Sequence, residues 1–347
     1  MPNSEKSFKT QLQKRPLVFT ALPLRNNLTG ESTHDEKIVQ ALNKKKEELA
    51  SELSKIHRLN AVSVPELIEE NHEGKPRYNS VYTRALSRGI ADLVQKDALI
   101  NKVVAHMQNF ESFSGWIEET YSMGIRNMIF VGGNTRHHRF PGPSVSEANL
   151  IARHLVGLGL IEDVTVGNIS LPERNDEAKR MLFKTISGAQ FFTTQILFDS
   201  SQIINVILEY ERQCSIAKVS PATVILSFAP LRSAIDLNLL DFLGVELPNN
   251  AKNYILKGSD SFDAPKRSVV NALRVYGDVV SSLKDTGVYV PVGINIEQLT
   301  RSNFATSMLM LGEFAKAIDK RGVEIKNQAI RLETDEIKVN TYSKNLQ

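Results

Sequence analysis

Gly188-Ala189-Gln190-Phe191-Phe192-Thr193-Thr194-Gln195-Ile196-Leu197-Phe198-Asp199 reads as a helix end, a tight turn and a strand in close succession. Gly188 can close the helix before it, because a residue without a Cβ enters the left-handed region cheaply. Residues 191–198 are nearly all apolar, β-branched or aromatic, the composition of a strand covered on both faces. Gln195 interrupts that run. Its amide carries two N–H donors and an acceptor, which a sheet interior must satisfy or use. Two readings are open. Gln195 is a core amide bonded to a neighbouring strand or a water, or it meets a ligand near the strand's carboxyl end, where α/β proteins bind their ligands.

Outward from this stretch the same unit recurs. Strand-like runs occupy residues 16–24, 59–64, 102–107, 127–131, 163–169, 223–228 and 288–296. Helical patterns occupy residues 35–56, 81–94, 116–123, 144–158, 176–186, 200–212, 234–243, 266–283 and 304–318. Ser144 with Glu147 three residues on has the form of a capping box. With residues 191–198 the strands number eight, with no linker or composition break between them. Strand–helix alternation forces parallel pairing through right-handed crossovers. The expectation is a single closed (β/α)8 TIM barrel over residues 16–321, between a polar arm at 1–15 and a polar, peripheral C-terminal extension at 322–347.

Composition narrows the function. At 347 residues, 41% hydrophobic and 23% charged, the chain has the make-up of a globular protein with a full core. Net charge is +3 with both signs interspersed, and no basic stripe alternates with aromatics, so no nucleic-acid surface is expected. No apolar run approaches ~20 residues, so no membrane span is expected. The lysine-rich start lacks the apolar core of a secretory signal, and a cytoplasmic location is the simplest expectation. Cys214 stands alone, which removes an intrachain disulfide and a thiolate metal cluster. Neither a His-Glu-x-x-His nor a Gly-x-Ser-x-Gly motif is present, and Gly132-Gly133-Asn134 has neither glycine spacing of the common phosphate loops. No metal site is predicted. The apolar positions of 266–283 suit either a homo-oligomer interface or core packing.

A barrel gathers its ligand site at the carboxyl ends of its strands. That draws together Thr20, Glu66, His106, Asn134, Asn168, Gln195, Ser227 and Glu297. Glu66 and Glu297 are the carboxylates there; Glu66 is a general acid or base if partly buried, and otherwise a solvated loop residue. His106 is a structural histidine or a base. His137 and His138 lie between Arg136 and Arg139, a loop better suited to phosphate contact by the arginines than to a metal.

These residues carry a family resemblance. Glu177, Lys184, Gly188-Ala189 and Thr194-Gln195-x-x-Phe198-Asp199 keep the spacing of methylenetetrahydrofolate reductases, and the chain resembles that family at low level from about Pro16 to Arg301. Gly124-Ile125-Arg126 also looks like the family's approach to its flavin loop. The resemblance implies a flavin-dependent oxidoreductase of one-carbon metabolism, reducing a folate- or pterin-bound one-carbon unit. It implies that Gln195 and Arg301 orient the pterin, with Thr20 also at the substrate. It implies that His106, Gly132, Gly133, Asn134, Glu177 and Lys184 lie along FAD, with NAD(P)H as a possible electron donor. Two departures matter. The family's Phe-Glu-Phe-Phe-Pro-Pro-Arg is Phe19-Thr20-Ala21-Leu22-Pro23-Leu24-Arg25 here, and its Leu-Arg-Gly-Asp is Val131-Gly132-Gly133-Asn134. The proton-donating Glu and the Asp beside the flavin are thereby both lost. A hydroxyl cannot replace the first near neutral pH. Glu66 or Glu297, in place of family Tyr residues, would have to restore the acid. The alternative expectation is a pterin-binding barrel without reductase activity, for one-carbon transfer or for binding alone.

Overall fold

The computed structural model describes residues 7–24, 32–66, 83–133, 140–257 and 263–334. Asn134, Arg136, His137, His138 and Arg139 lie outside the described residues. Eight strands close on themselves in sequence order: β1 (Leu17–Thr20), β2 (Ala61–Val64), β3 (Asp97–Val103), β4 (Asn127–Val131), β5 (Thr165–Ser170), β6 (Phe191–Ile196), β7 (Thr223–Phe228) and β8 (Val292–Glu297). This is the (β/α)8 barrel expected from the alternation of elements. The helices are α1 (Phe8–Gln11), α2 (Ser32–Ser54), α3 (Thr83–Val94), α4 (Phe110–Ser122), α5 (Val145–Gly157), α6 (Glu177–Ser187), α7 (Ser201–Ala217), α8 (Asp236–Phe242), α9 (Asn249–Ile255), α10 (Ala264–Asp285), α11 (Phe304–Ala317) and α12 (Gly322–Thr334).

One strand is displaced from its expected place. β3 ends at Val103, and Val104–His106 form a 3-10 turn. The strand begins before the expected residue 102: the apolar run Ala98-Leu99-Ile100 lies inside it, together with Asn101 and Lys102. Cys214 is buried within α7 rather than following it.

By its internal contacts the chain forms two compact units. The first comprises Met1–Leu12, Thr20–Ile169 and Phe183–Phe192. Its core sits where one face of β3, β4 and β5 meets the helices. Ala98, Ile100, Phe130 and Val166 pack with Trp116 and Ile117 of α4 and with Ala148 and Ala152 of α5. The period of two then turns Leu99, Asn101 and Ile129 to the opposite face, the barrel interior. Ser144 and Glu147 close α5 with the expected capping box. The N-terminal arm is not wholly peripheral. Phe8 of α1 is fully buried, meets the edge of Phe191 at 5.2 Å, and its backbone N–H donates to the Asp97 carboxylate.

Gly188 ends α6 as its composition suggests. Its N–H and that of Ala189 both return to the Lys184 carbonyl, at 3.1 and 2.9 Å, and its φ is +129°. A Cβ there would lie 2.6 Å from Arg153 Cδ. Gly188→Ala is therefore expected to cost about 1–2 kcal/mol, mostly in backbone strain, read as a lower urea midpoint with unchanged slope.

The second unit comprises Gln13–Phe19, Ser170–Leu182 and Thr193–Gln347. Phe228 of β7 stacks on Phe314 of α11 at 5.0 Å, and Ile196 and Phe198 pack with Leu240, Ala251 and Ile255 of α8 and α9. Residues 322–334, polar in composition, form a helix that buries Ile325, Ala329 and Leu332. Lys326 pairs with Asp278 at 2.6 Å, and Glu333 takes bonds from Tyr254 and Arg274, which fastens α12 to α10 and α9.

Candidate functional site

The carboxyl ends of β6, β7 and β8 carry a connected polar cluster in the second unit. Phe228 faces α11, so Ser227 one residue earlier faces the barrel interior. Asn295 is its register partner on β8. Asn295 Nδ2 donates to Ser227 Oγ and to Glu297 Oε1, each at 3.1 Å. By the same alternation Gln195 faces the interior, because Ile196 packs on the helix side with α8 and α9. Gln195 Nε2 donates to the Leu243 carbonyl at 3.0 Å. One amide N–H is thus committed to a loop beyond α8, which fixes the orientation of the side chain.

Glu297 has unusual chemistry. Burial raises its carboxyl to about 7, and hydrogen bonds from Ser227 and Asn295 oppose that rise without cancelling it. The group can hold or release a proton near neutral pH, and it is oriented by two neutral donors. Arg301 opens the 3-10 turn Arg301–Asn303 just past β8 and is exposed. Thr20 is the last residue of β1 and is half-buried.

In the first unit, Glu66 is paired with a buried lysine. Lys102 Nζ lies 3.0 Å from Glu66 Oε1, with the two side chains 0% and 7% exposed. Lys102 shares the helix-side face of β3 with Ala98 and Ile100, and its Nζ is 5.4 Å from the Trp116 ring centroid. Burial lowers the Lys102 ammonium from its ordinary value, and Glu66 pulls it back. Glu66 is the counter-ion of a lysine packed between strand and helix.

Three residues expected at a flavin meet at one place. Gly132 and Gly133 line a cavity of about 650 Å³ with Ala105, Phe110, Phe140 and the start of α5. The His106 ring lies 5.2 Å from that of Phe140, and Phe140 covers Gly133 so closely that a Cβ would sit 2.1 Å from the ring. Glu177 is buried and accepts the Leu171 N–H at 3.2 Å; Lys184 Nζ donates to the Ile169 carbonyl at 2.7 Å. Both bonds tie α6 to the chain at the end of β5. Glu147 is the only charged residue among the described lining of that cavity; Arg136 and Arg139, between Gly133 and Phe140 in the chain, lie outside the described residues. No group of three or more metal-binding side chains occurs among the described residues, and no helix is long and apolar enough to cross a membrane.

Asn295 is the site residue that strand-end reasoning passed over. A polar residue between Ile294 and Ile296 is the same signal that marks Gln195.

No family model matches the chain. No curated protein matches it either. Among solved structures, an uncharacterized protein from Clostridium thermocellum, described as binding two copies of 5-methyl-5,6,7,8-tetrahydrofolic acid, aligns with a TM-score of 0.67. Identity is 17% over 89% of this chain and 98% of that one. A tryptophan synthase complex from Pyrococcus furiosus aligns at a TM-score of 0.41 and 10% identity, over 92% of this chain and 97% of that one. The first likeness establishes the fold: this chain and the folate-binding protein share a (β/α)8 barrel over nearly their whole lengths.

Proposed function

We propose that this barrel binds a reduced folate or a related pterin at the carboxyl ends of β6, β7 and β8. The observation that carries the reading is the Ser227–Asn295–Glu297 network with Gln195 on the neighbouring strand. A pterin ring is flat and presents donors and acceptors along one edge. A fixed primary amide and a carboxyl group are complementary to such an edge, because each offers paired hydrogen-bonding atoms in a plane. The fold shared with a protein that binds 5-methyltetrahydrofolate supports the same ligand class. Calorimetric titration with 5-methyltetrahydrofolate tests it. Saturable binding is expected, and Gln195→Ala is expected to weaken it at least tenfold, about 1.4 kcal/mol, with the fold intact by circular dichroism.

A second reading, reduction of a one-carbon unit on that pterin, is favoured by the titration of Glu297 near neutrality. In that reading Glu297 supplies the proton and NAD(P)H the hydride, with no step through flavin. The assay is NAD(P)H oxidation with methylenetetrahydrofolate. A reductase would lose roughly 10²–10⁴-fold in rate on Glu297→Gln. Binding without turnover would leave the chain a folate-binding or one-carbon-transfer protein.

A further inference from the structure

We infer that Asn295 is a positioning residue acting through Glu297: it claims carboxyl oxygen Oε1, leaves the proton to Oε2, and so makes Glu297 the donor to a hydrogen-bond acceptor on the bound ligand. Asn295 Nδ2 lies 3.1 Å from both Ser227 Oγ and Glu297 Oε1. An amide nitrogen has two N–H bonds and no acceptor, so these two contacts use both of its hydrogens. Oε1 is thereby held as an acceptor. A neutral carboxyl carries its proton on one oxygen, and here that oxygen is Oε2. Ser227 fixes the amide in turn, because its Oγ takes the other N–H. Ser227 and Asn295 are register partners on adjacent strands, and Glu297 follows Asn295 by two residues on the same interior face.

Charged groups of the second unit leave Glu297 to these neutral partners. β7 carries no titratable side chain, and neither do Leu17, Val18 and Phe19 of β1. α11 packs on the helix side, where Phe314 stacks on Phe228, and its Glu313 and Lys316 pair with each other at 2.7 Å. Arg301, past the end of β8, is exposed. Burial favours the neutral carboxyl, and the two neutral donors favour the ionised one. A ligand that offers Oε2 an acceptor favours the neutral form further, so its capture takes up a proton wherever the free carboxyl is ionised. A pterin ring offers such an acceptor in its carbonyl oxygen. The donor role of Oε2 toward the ligand rests on the pterin reading; the place of the proton does not.

Two measurements test the two parts. The first needs no ligand: the Glu297 carboxyl carbon is titrated by NMR in the full chain labelled at glutamate, with Glu297→Gln identifying the signal. Asn295→Leu keeps the volume and removes the donor, so the proton should be held about tenfold more tightly than in wild type. Ser227→Ala, a smaller change, should act in the same direction. An Asn295 that only fills space, or whose amide oxygen faces the carboxyl, gives the opposite sign or no change, and either result would overturn the assignment. The second is calorimetry with 5-methyltetrahydrofolate in buffers of different ionisation heat, on either side of the carboxyl's value of about 7. Uptake of nearly one proton at pH 8 and little at pH 6 is expected. Binding without proton uptake would overturn the donor role of Glu297 and leave the pterin site standing. No binding would overturn the pterin reading and that donor role together, while the carbon titration still decides the role of Asn295.

Discussion

Glu297→Gln will hold its stability between pH 5 and pH 8 while the wild-type protein loses about 2–3 kcal/mol over the same interval. The carboxyl titrates at about 7 in the folded chain against an ordinary 4.5, so the folded state binds the proton more tightly than the unfolded one. Below the ordinary value both states are protonated and burial is without electrostatic cost. As pH rises through the interval, the unfolded chain ionises freely and the folded chain resists, so stability falls until the folded carboxyl also ionises. Gln keeps the shape and can still accept the bond from Asn295, yet carries no titrating proton. Urea midpoints of the two proteins should therefore be close at pH 5 and well separated at pH 8, with the variant the more stable. Parallel pH curves would show that Glu297 is solvated and unfit for a proton-transfer role.

The other large effect belongs to Glu66. Glu66→Ala leaves Lys102, whose side chain is wholly buried, without its counter-ion, and should cost about 3–5 kcal/mol in urea unfolding. Most of that cost is the stranded charge rather than a lost contact. The double variant Lys102→Met/Glu66→Leu removes both charges and should recover most of the stability, because apolar side chains of similar size suit a site against Trp116. A single variant within 1 kcal/mol of wild type would mean that water reaches the pair. In the folate-binding assay the double variant should titrate like wild type, since the pair lies on the helix side of β3.

The barrel was legible in the amino-acid sequence because its strands are short apolar runs punctuated by turns, a local pattern. β4 and β7 match the expected bounds to the residue, 127–131 and 223–228. β3 was placed at 102–107, where the run Val103-Val104-Ala105 is apolar, but it occupies Asp97–Val103; burial of Lys102 inside it is made tolerable by its distant partner Glu66 and the Trp116 ring. Phe8 and α12 escaped notice for a related reason. Their polar surroundings hide apolar positions whose partners, Phe191 for the first and the α10 surface for the second, lie far along the chain. At the site, Gln195 was visible as a polar break in an apolar strand, and Glu297 as a strand-end carboxylate. The bond from Gln195 to Leu243 was not visible, nor the pairing of Asn295 with Ser227, since register between strands follows from closure of the barrel. Glu177 and Lys184 kept a familiar spacing, yet both hydrogen-bond to backbone near the end of β5. Spacing on one helix face is preserved equally well by a binding role and by a structural one.

The measurement that bears most directly on the account is the titration of wild type and Gln195→Ala with 5-methyltetrahydrofolate under identical conditions. Saturable binding to the wild-type chain, weakened at least tenfold by the substitution, is the predicted result. No binding to the wild-type chain, or equal affinity in the variant, would contradict a pterin site at the ends of β6, β7 and β8.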